Sequence, residues 1–469
     1  MSTSDRAGGS RQVAEAIQWL DEQRIDTVII GGADIYGIMR GKFVPRQPFI
    51  EAIQEQRDFA MSDVFLVMDS VEEQVFEPPA NYPGYFPRKE TGYPDLFLRP
   101  DLATLRSLPW RERTAMVLGD HYLPDGSPVP ISPRHVLRRV IERAHALGFE
   151  SYIGLEYEFY LLQETPATLA QKGFIGPQPL NVRPYTYGIT GGMQSEPLIA
   201  PLRQALSEFG MALEASNPET GKGQFEINLH FAPALLAADA AFLYKTGVKQ
   251  FALSRGLMAT FMAKPQSSWA GNSCHLHQSL WRGTTNAFYD EGDRHGFSDV
   301  MRHYAGGQLA SLPELTAFYA PTPNSYKRYA PYSWAATTAT WGVDNRSTGL
   351  RAISEGPHGT RLENRMAGGD ANPYIVAAAA IAGGLYGIEH AIAPPELYQL
   401  DAYAAPPGTL APLPRTLAQA LDHLAHGCMA KEYLGQDFVE YYRICKQAEL
   451  EAARLAVTDW EVKRYMEML

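Results

Sequence analysis

Alternation of apolar and polar residues marks Tyr152–Leu162, Phe225–Phe231 and Cys274–Trp281 as strands. Helical spacing of apolar residues marks Val13–Gln23, Pro133–Leu147, Glu196–Phe209, Pro233–Ser254 and Asn372–Ala393, and it recurs through much of Leu417–Leu469. Pro133–Leu147 has the clearest ends, with Ser132 as a fair N-cap, Pro133 at the first position and Gly148 as the stop. Nearer the N-terminus, Thr27-Val28-Ile29-Ile30 reads as a strand closed by Gly31-Gly32, and Ala115–Leu118 as another. Between them Pro78, Pro79, Pro83, Pro87 and Pro94 make a stretch that cannot be helical. Residues 1–10 are small and polar and read as a disordered tail. Ile375–Ile388 is apolar throughout but too short to span a bilayer, so a buried helix is expected. The class predicted is α+β, with a small N-terminal domain over 11–112, led by a helix, and a large catalytic domain over 113–469.

Residues i and i+2 of a strand share a face, so Glu156 pairs with Glu158 and His275 with His277. Two acids on a strand are more often a solvated face, but Ile153 and Phe159-Tyr160-Leu161 flank this pair with apolar residues. Glu219 and Glu226 bracket Gly221-Lys222-Gly223-Gln224, which alone reads as a glycine turn beside a strand. Two imidazoles on one strand face are rarer than a lone one, and metal sites use that spacing. Glu363 shares a face with Arg361 and Arg365, either as a surface ion-pair ladder or as part of a site. Packed carboxylates repel in a low dielectric, and divalent cations are the usual compensation. Oxygen donors with one or two imidazoles suit Mg²⁺ or Mn²⁺ better than Zn²⁺. Arg346, Arg351, Arg361 and Arg365 lie close in sequence, either as a solvated basic face or as forks converging on phosphate.

Composition narrows the classes further. The chain has 469 residues, enough for two domains. Its net charge of −11 disfavours a nucleic-acid partner, which would ask for a basic footprint. Cys274, Cys428 and Cys445 form no CxxC and cannot all pair, which fits reduced thiols and a cytoplasmic protein without membrane attachment. No glycine-rich phosphate loop is present: Gly37–Lys42 is one residue short of the spacing and Phe43 follows it. Any nucleotide must therefore be held by metals and arginines.

Seven ordered motifs resemble the glutamine synthetase superfamily. They are Gly154-Leu155-Glu156-Tyr157-Glu158-Phe159, Gly223-Gln224-Phe225-Glu226, Ala259–Pro265, Gly271–His277, Asn324–Arg328, Asn345-Arg346-Ser347 and Arg361–Arg365. The resemblance implies an N-terminal β-grasp domain, a C-terminal glutamine synthetase-type catalytic domain, and a homo-oligomer, commonly a dodecamer of two hexameric rings with active sites between neighbours. It implies a first metal, Mg²⁺ or Mn²⁺, on Glu158, Glu219 and Glu226, and a second on Glu156, His275 and Glu363. Glu214, His277 and Ser279 would line the nucleotide pocket. Arg346, Arg351 and Arg361 would neutralise the transferring phosphate of ATP. Gly271, Arg328 and Arg365 would grip L-glutamate. Arg346, Arg351 and Glu219 are the expected catalytic residues.

Ammonia-using members hold ammonium with two acids. Counted from Arg328, the flap acid falls at Trp334; the other falls near Ala60, where Asp63 could partly substitute. Losing both acids removes the charge that attracts ammonium and the base that deprotonates it. A tryptophan instead offers an apolar wall for a carbon-bearing amine. The reading favoured is a γ-glutamyl-amine ligase for a small or aromatic monoamine. Ordinary glutamine synthesis from ammonia, a non-catalytic ring scaffold and a metal-dependent amidohydrolase are the alternatives. Ala270 stands where the family has an asparagine beside the glutamate pocket.

Overall fold

The structure, a computed structural model, describes residues 3–469, with 3–10 described by backbone alone. Two sheets organise it. The first runs in the order Met39–Pro45, Thr27–Ala33, Thr114–Tyr122, Asp95–Pro100, Phe59–Ser62, with Arg106–Ser107 beside Thr114–Tyr122. Thr27–Ala33 and Thr114–Tyr122 are parallel, and the other pairs are antiparallel. Both parallel strands are apolar on two faces because both faces are covered. Val28, Ile30, Ala115 and Val117 enter a small core with Leu20, Phe49 and Ile53 of two helices, Thr3–Glu22 and Arg46–Gln54. Ile29, Met116 and Leu118 enter the main core on the other side.

Three observations bear on the sequence expectations. Thr114–Tyr122 lies in the first sheet, although a boundary at 112 would assign it to the second domain, because its partners Thr27–Gly31 are on the far side of that boundary. The backbone is helical from Thr3, inside the segment expected to be a tail; Met1 and Ser2 lie outside the described residues. Ser132 does not cap its helix with its side chain, because its hydroxyl meets His121 Nδ1 at 3.0 Å.

The second sheet runs Trp341–Val343, Leu350–Ile353, Arg361–Gly368, Ser273–Arg282, Glu150–Leu162, Gln224–Leu229, Leu213–Pro218. Apart from the first pair, which is parallel, neighbours on this path are antiparallel. Leu155, Tyr157 and Phe159 of the long strand enter the main core with residues of the helices Pro133–Ala146, Ala234–Ser254, Asp299–Tyr319 and Pro373–Glu389. The residues between them face the other way. Pro373–Glu389 is the buried helix expected from its composition, and Asn372 Oδ1 accepts from Tyr374 N to cap it. Asp299–Tyr319 lacks a one-sided apolar stripe because its core is wrapped on most sides, so periodicity does not reveal it. The two helices touch through glycine: a Cβ on Gly307 would lie 2.3 Å from Gly383 O. No helix among the described residues is long and apolar enough to cross a membrane.

A buried ion cluster ties the first sheet to the helices Pro133–Ala146 and Ala234–Ser254. Arg134 Nε and Nη2 donate to Asp239 at 2.8 and 2.7 Å, Nη1 to Asp120 at 2.8 Å, and Nη2 also to Asp101 at 2.7 Å. Beside it, His121 is fully buried, and a Cβ on Gly32 would meet its ring at 2.7 Å. Burial, with a smaller contribution from His135, pushes the His121 pKa down to about 4. The unfolded chain, with an ordinary value of about 6.5, binds a proton first as pH falls. Stability is therefore full above that value and is lost between about 6.5 and 4, by ~3 kcal/mol in the limit. Melting curves from pH 7 to 4.5 are expected to fall more steeply for the wild type than for His121→Gln. Equal slopes would remove His121 from the acid response.

Candidate active site

Register gathers the candidate ligands. Glu158 stands opposite Glu226, and Glu156 stands opposite Asn228 on one side and His275 on the other. His277 and Arg351 both face Glu363 from neighbouring strands. Directly paired residues share a face, so five strands place these side chains in one row away from the helices. The ladder slips between Cys274 and Leu276, and such a slip re-aims the side chain beside it, here His275.

His275 Nδ1 lies 3.4 Å from Glu156 Oε2 and 3.7 Å from Glu363 Oε1. His277 Nε2 is 3.2 Å from Glu156 Oε1, though not aligned as a hydrogen bond, and its Nδ1 accepts from Arg361 Nε at 3.2 Å. Glu156, His275 and Glu363 bring ligand atoms within 4.8 Å of one another, and so do Glu158, Glu226 and His275. The first group matches the set expected for the second metal. The other holds Glu158 and Glu226 of the set expected for the first metal; the third, Glu219, lines the same cavity, its carboxylate accepting from Asn217 Nδ2 at 2.8 Å and Thr220 N at 3.3 Å.

The charges are unevenly compensated. Burial first, then Glu156, Glu158 and Glu219, push the Glu226 pKa up to about 9. Burial and Glu219 raise that of Glu158 to about 7, despite its bonds from Ser273 N at 2.7 Å and Gln224 Nε2 at 3.2 Å. Glu363 is the opposite case: burial is outweighed by Arg365 and the histidines, and its value falls to about 2. Burial and Arg365 lower His275, which favours the neutral ring that binds metals. Its Nε2 is buried without a partner. Crowded carboxylates, a neutral imidazole and an unpartnered ring nitrogen fit a divalent cation, and the oxygen-rich set suits Mg²⁺ or Mn²⁺.

Two cavities meet at this row. The larger, about 970 Å³, is lined by Glu156, Glu158, Glu219, Glu226, His275, Glu363, Gly271, Ala270, Arg346, Arg351, Arg365 and Trp334. The smaller, about 430 Å³, takes Glu214, His277, Ser279 and Arg361. Glu156 and Asn228 line both. Four nucleotide candidates thus lie on one side of Glu156, with Gly271 and Arg365 of the glutamate candidates on the other. Arg346 and Arg351 stand on the larger side.

Three candidates lie outside the larger cavity. Arg328 does not line the larger cavity: it is buried, donating to Ser273 Oγ at 3.1 Å and to the Met366 carbonyl, with Nε bare. It does press on Gly271, where a Cβ would lie 2.6 Å from its Cγ. Ala60 and Asp63 sit in the first sheet region, away from the cavity, with Asp63 Oδ2 accepting from Tyr85 OH at 3.5 Å and burial raising its pKa to about 6. Sequence reasoning missed Asn228 and Asp344. Asn228 follows Glu226 at the i+2 spacing, so the strand rule would have found it. Asp344, which binds Arg351 Nε and Nη2 at 2.9 and 2.6 Å, has no such local signal.

A family model described as "Glutamine synthetase, catalytic domain" matches residues 130–465, and sets the class: this is a glutamine synthetase-type catalytic domain on a mixed helix and sheet fold. The chain belongs to the glutamine synthetase family. It is 35% identical to the glutamate–isopropylamine ligase of a Pseudomonas species, over 98% of this chain and 99% of the relative. It is 37% identical to the γ-glutamylethanolamide synthetase of Streptomyces coelicolor, over 95% and 93%. Other relatives of comparable identity, one from Dictyostelium discoideum, are named glutamine synthetases. A solved structure described as a GmaS–ADP complex superposes with a TM-score of 0.82 at 29% identity, over 96% of this chain and 99% of that one.

Proposed function

We propose that the chain is an ATP-dependent ligase that joins the γ-carboxylate of L-glutamate to an organic amine. One observation carries the choice of amine over ammonia: the larger cavity is walled at its flap by Ala330, Pro331, Tyr332, Ser333 and Trp334, none of them acidic. Relatives that act on isopropylamine and ethanolamide formation, by their names, support the same choice.

The chemistry assigns each group a task. A carboxylate is a poor electrophile because oxide would have to leave. Transfer of the terminal phosphoryl group of ATP to a γ-carboxylate oxygen releases ADP and makes phosphate the leaving group. The amine lone pair then attacks the acyl carbon, phosphate departs and the nitrogen loses a proton. Glu158, Glu219 and Glu226 would hold one divalent ion, and Glu156, His275 and Glu363 the other. Bound Mg²⁺ or Mn²⁺ would supply charge neutralisation for the phosphates. Glu214, His277 and Ser279 would position the nucleotide. Arg346, Arg351 and Arg361 would stabilise the negative charge of the transferring group. Gly271, Arg365 and, after turning from Met366, Arg328 would bind glutamate.

Ala60 and Asp63 could reach a cavity only from a neighbouring subunit. That, and the exposed Trp460, Tyr465 and Met466 near the C-terminus, support a homo-oligomer such as the double hexameric ring. The proposal includes a β-grasp N-terminal domain and a cytoplasmic location.

Glutamate-dependent ADP release separates the readings. Isopropylamine or ethanolamine is expected to support it at least about tenfold better than ammonium, judged by kcat/KM. Preference for ammonium would return the chain to glutamine synthesis, and no release with any nitrogen donor would favour a scaffold.

A further inference from the structure

Beyond the flap lies a second cavity, of about 560 Å³, that shares Tyr332, Trp334 and Arg346 with the larger one. Its far side is formed by Leu400 and Tyr403. The Tyr332 and Tyr403 rings lie 5.4 Å apart, and Tyr403 OH donates to Ala335 O at 3.0 Å, pinning the ring to the end of the flap. The segment carrying Leu400 is tied to the turn that carries Arg346: Asn345 Nδ2 donates to Tyr398 O at 3.0 Å and Leu400 O at 2.9 Å, and Ala402 N donates to Ser347 Oγ at 2.9 Å. Tyr332 and Trp334 both adopt left-handed backbone, φ 60° and 62°. Such conformations are rare for bulky side chains and persist where the surroundings hold them. Here they set two rings on the wall between the cavities, with 69% and 57% of their surface exposed.

Two carboxylates line this cavity. Asp344 is forked by Arg351, and Asp401 Oδ1 accepts from Tyr403 N at 2.9 Å. Arg346 adds a positive charge to the shared wall. An aryl or branched alkyl body would meet the rings and Leu400 here.

We infer that this cavity is the pocket for the carbon body of the amine, and that it selects primary monoamines with an aromatic or bulky apolar substituent. The inference rests on the ligase reading above. The reactive nitrogen lies on the larger-cavity side of Trp334, and the substituent passes between Trp334 and Tyr332 to rest against Tyr403 and Leu400. Tyr403 is then a specificity residue: it touches the substituent and no reacting atom.

The test compares kcat/KM for methylamine, benzylamine and putrescine by glutamate-dependent ADP release. In the wild type benzylamine is expected to exceed methylamine about tenfold, with putrescine last. Tyr403→Ala is expected to cut the benzylamine-to-methylamine ratio about tenfold, and Tyr403→Phe, which keeps the ring, to retain it. Leu400 is exposed, so Leu400→Trp tests the same pocket by filling it without touching the core, and the ratio is again expected to fall. Putrescine ahead of benzylamine, methylamine equal to benzylamine, or ratios unmoved by these variants would overturn the pocket while leaving the ligase standing. Absence of ADP release with every amine would instead overturn the ligase reading and the pocket with it.

Discussion

His275→Ala is expected to lower glutamate-dependent ADP release by about a thousandfold or more, the scale of several kcal/mol of lost charge stabilisation. His275 is the one residue common to both groups of converging ligand atoms. Its ring faces Glu156 across the ladder and approaches Glu363, so its loss opens both groups at once. The change leaves the sheet intact, because Cys274 and Leu276 on the same strand keep their places in the core. Titration with Mn²⁺, followed by electron paramagnetic resonance, is expected to show weakened binding in the variant. Retained manganese affinity together with near-normal ADP release would show that the imidazole is only packing.

Glu226→Gln is expected to move stability and metal affinity in opposite directions. Glu226 is buried, stands directly opposite Glu158, and among the described residues receives a bond only from Asn228 Nδ2 at 3.0 Å. In metal-free protein that crowding opposes the charged form. The isosteric amide removes the repulsion, and a gain on the order of 2 kcal/mol in the apo form follows. With Mn²⁺ present the wild type regains the deficit, because an ion that binds only the folded state stabilises it by mass action. The variant, short of one anionic oxygen donor, gains less. Melting curves with and without Mn²⁺ test both parts: an apo variant less stable than apo wild type, or an equal metal-induced rise in the two, would show that Glu226 is not crowded by other ligands.

The face of each site strand was legible in the sequence because side-chain period two is local. Glu156 with Glu158 and His275 with His277 needed only the i+2 rule and apolar neighbours. What was not legible is register. That Glu158 meets Glu226, or that Glu363 lies between His277 and Arg351, depends on pairing between segments far apart in the chain. The resemblance to a family supplied the grouping, and Glu219, Glu158 and Glu226 line one cavity. Where the domain boundary falls depends on register in the same way. Thr114–Tyr122 reads as a strand, but its partner Thr27–Ala33 is distant, and only the completed sheet shows which domain it serves. Asp299–Tyr319 escaped because a helix packed on most sides has no polar face to reveal its period.

Glu156 belongs to the walls of both cavities. A charge placed on either side changes the field felt on the other through a single carboxylate and the imidazoles that flank it. A charged ligand in either chamber would act on the same carboxylate, and thermodynamic reciprocity would make any coupling between the two chambers equal in both directions.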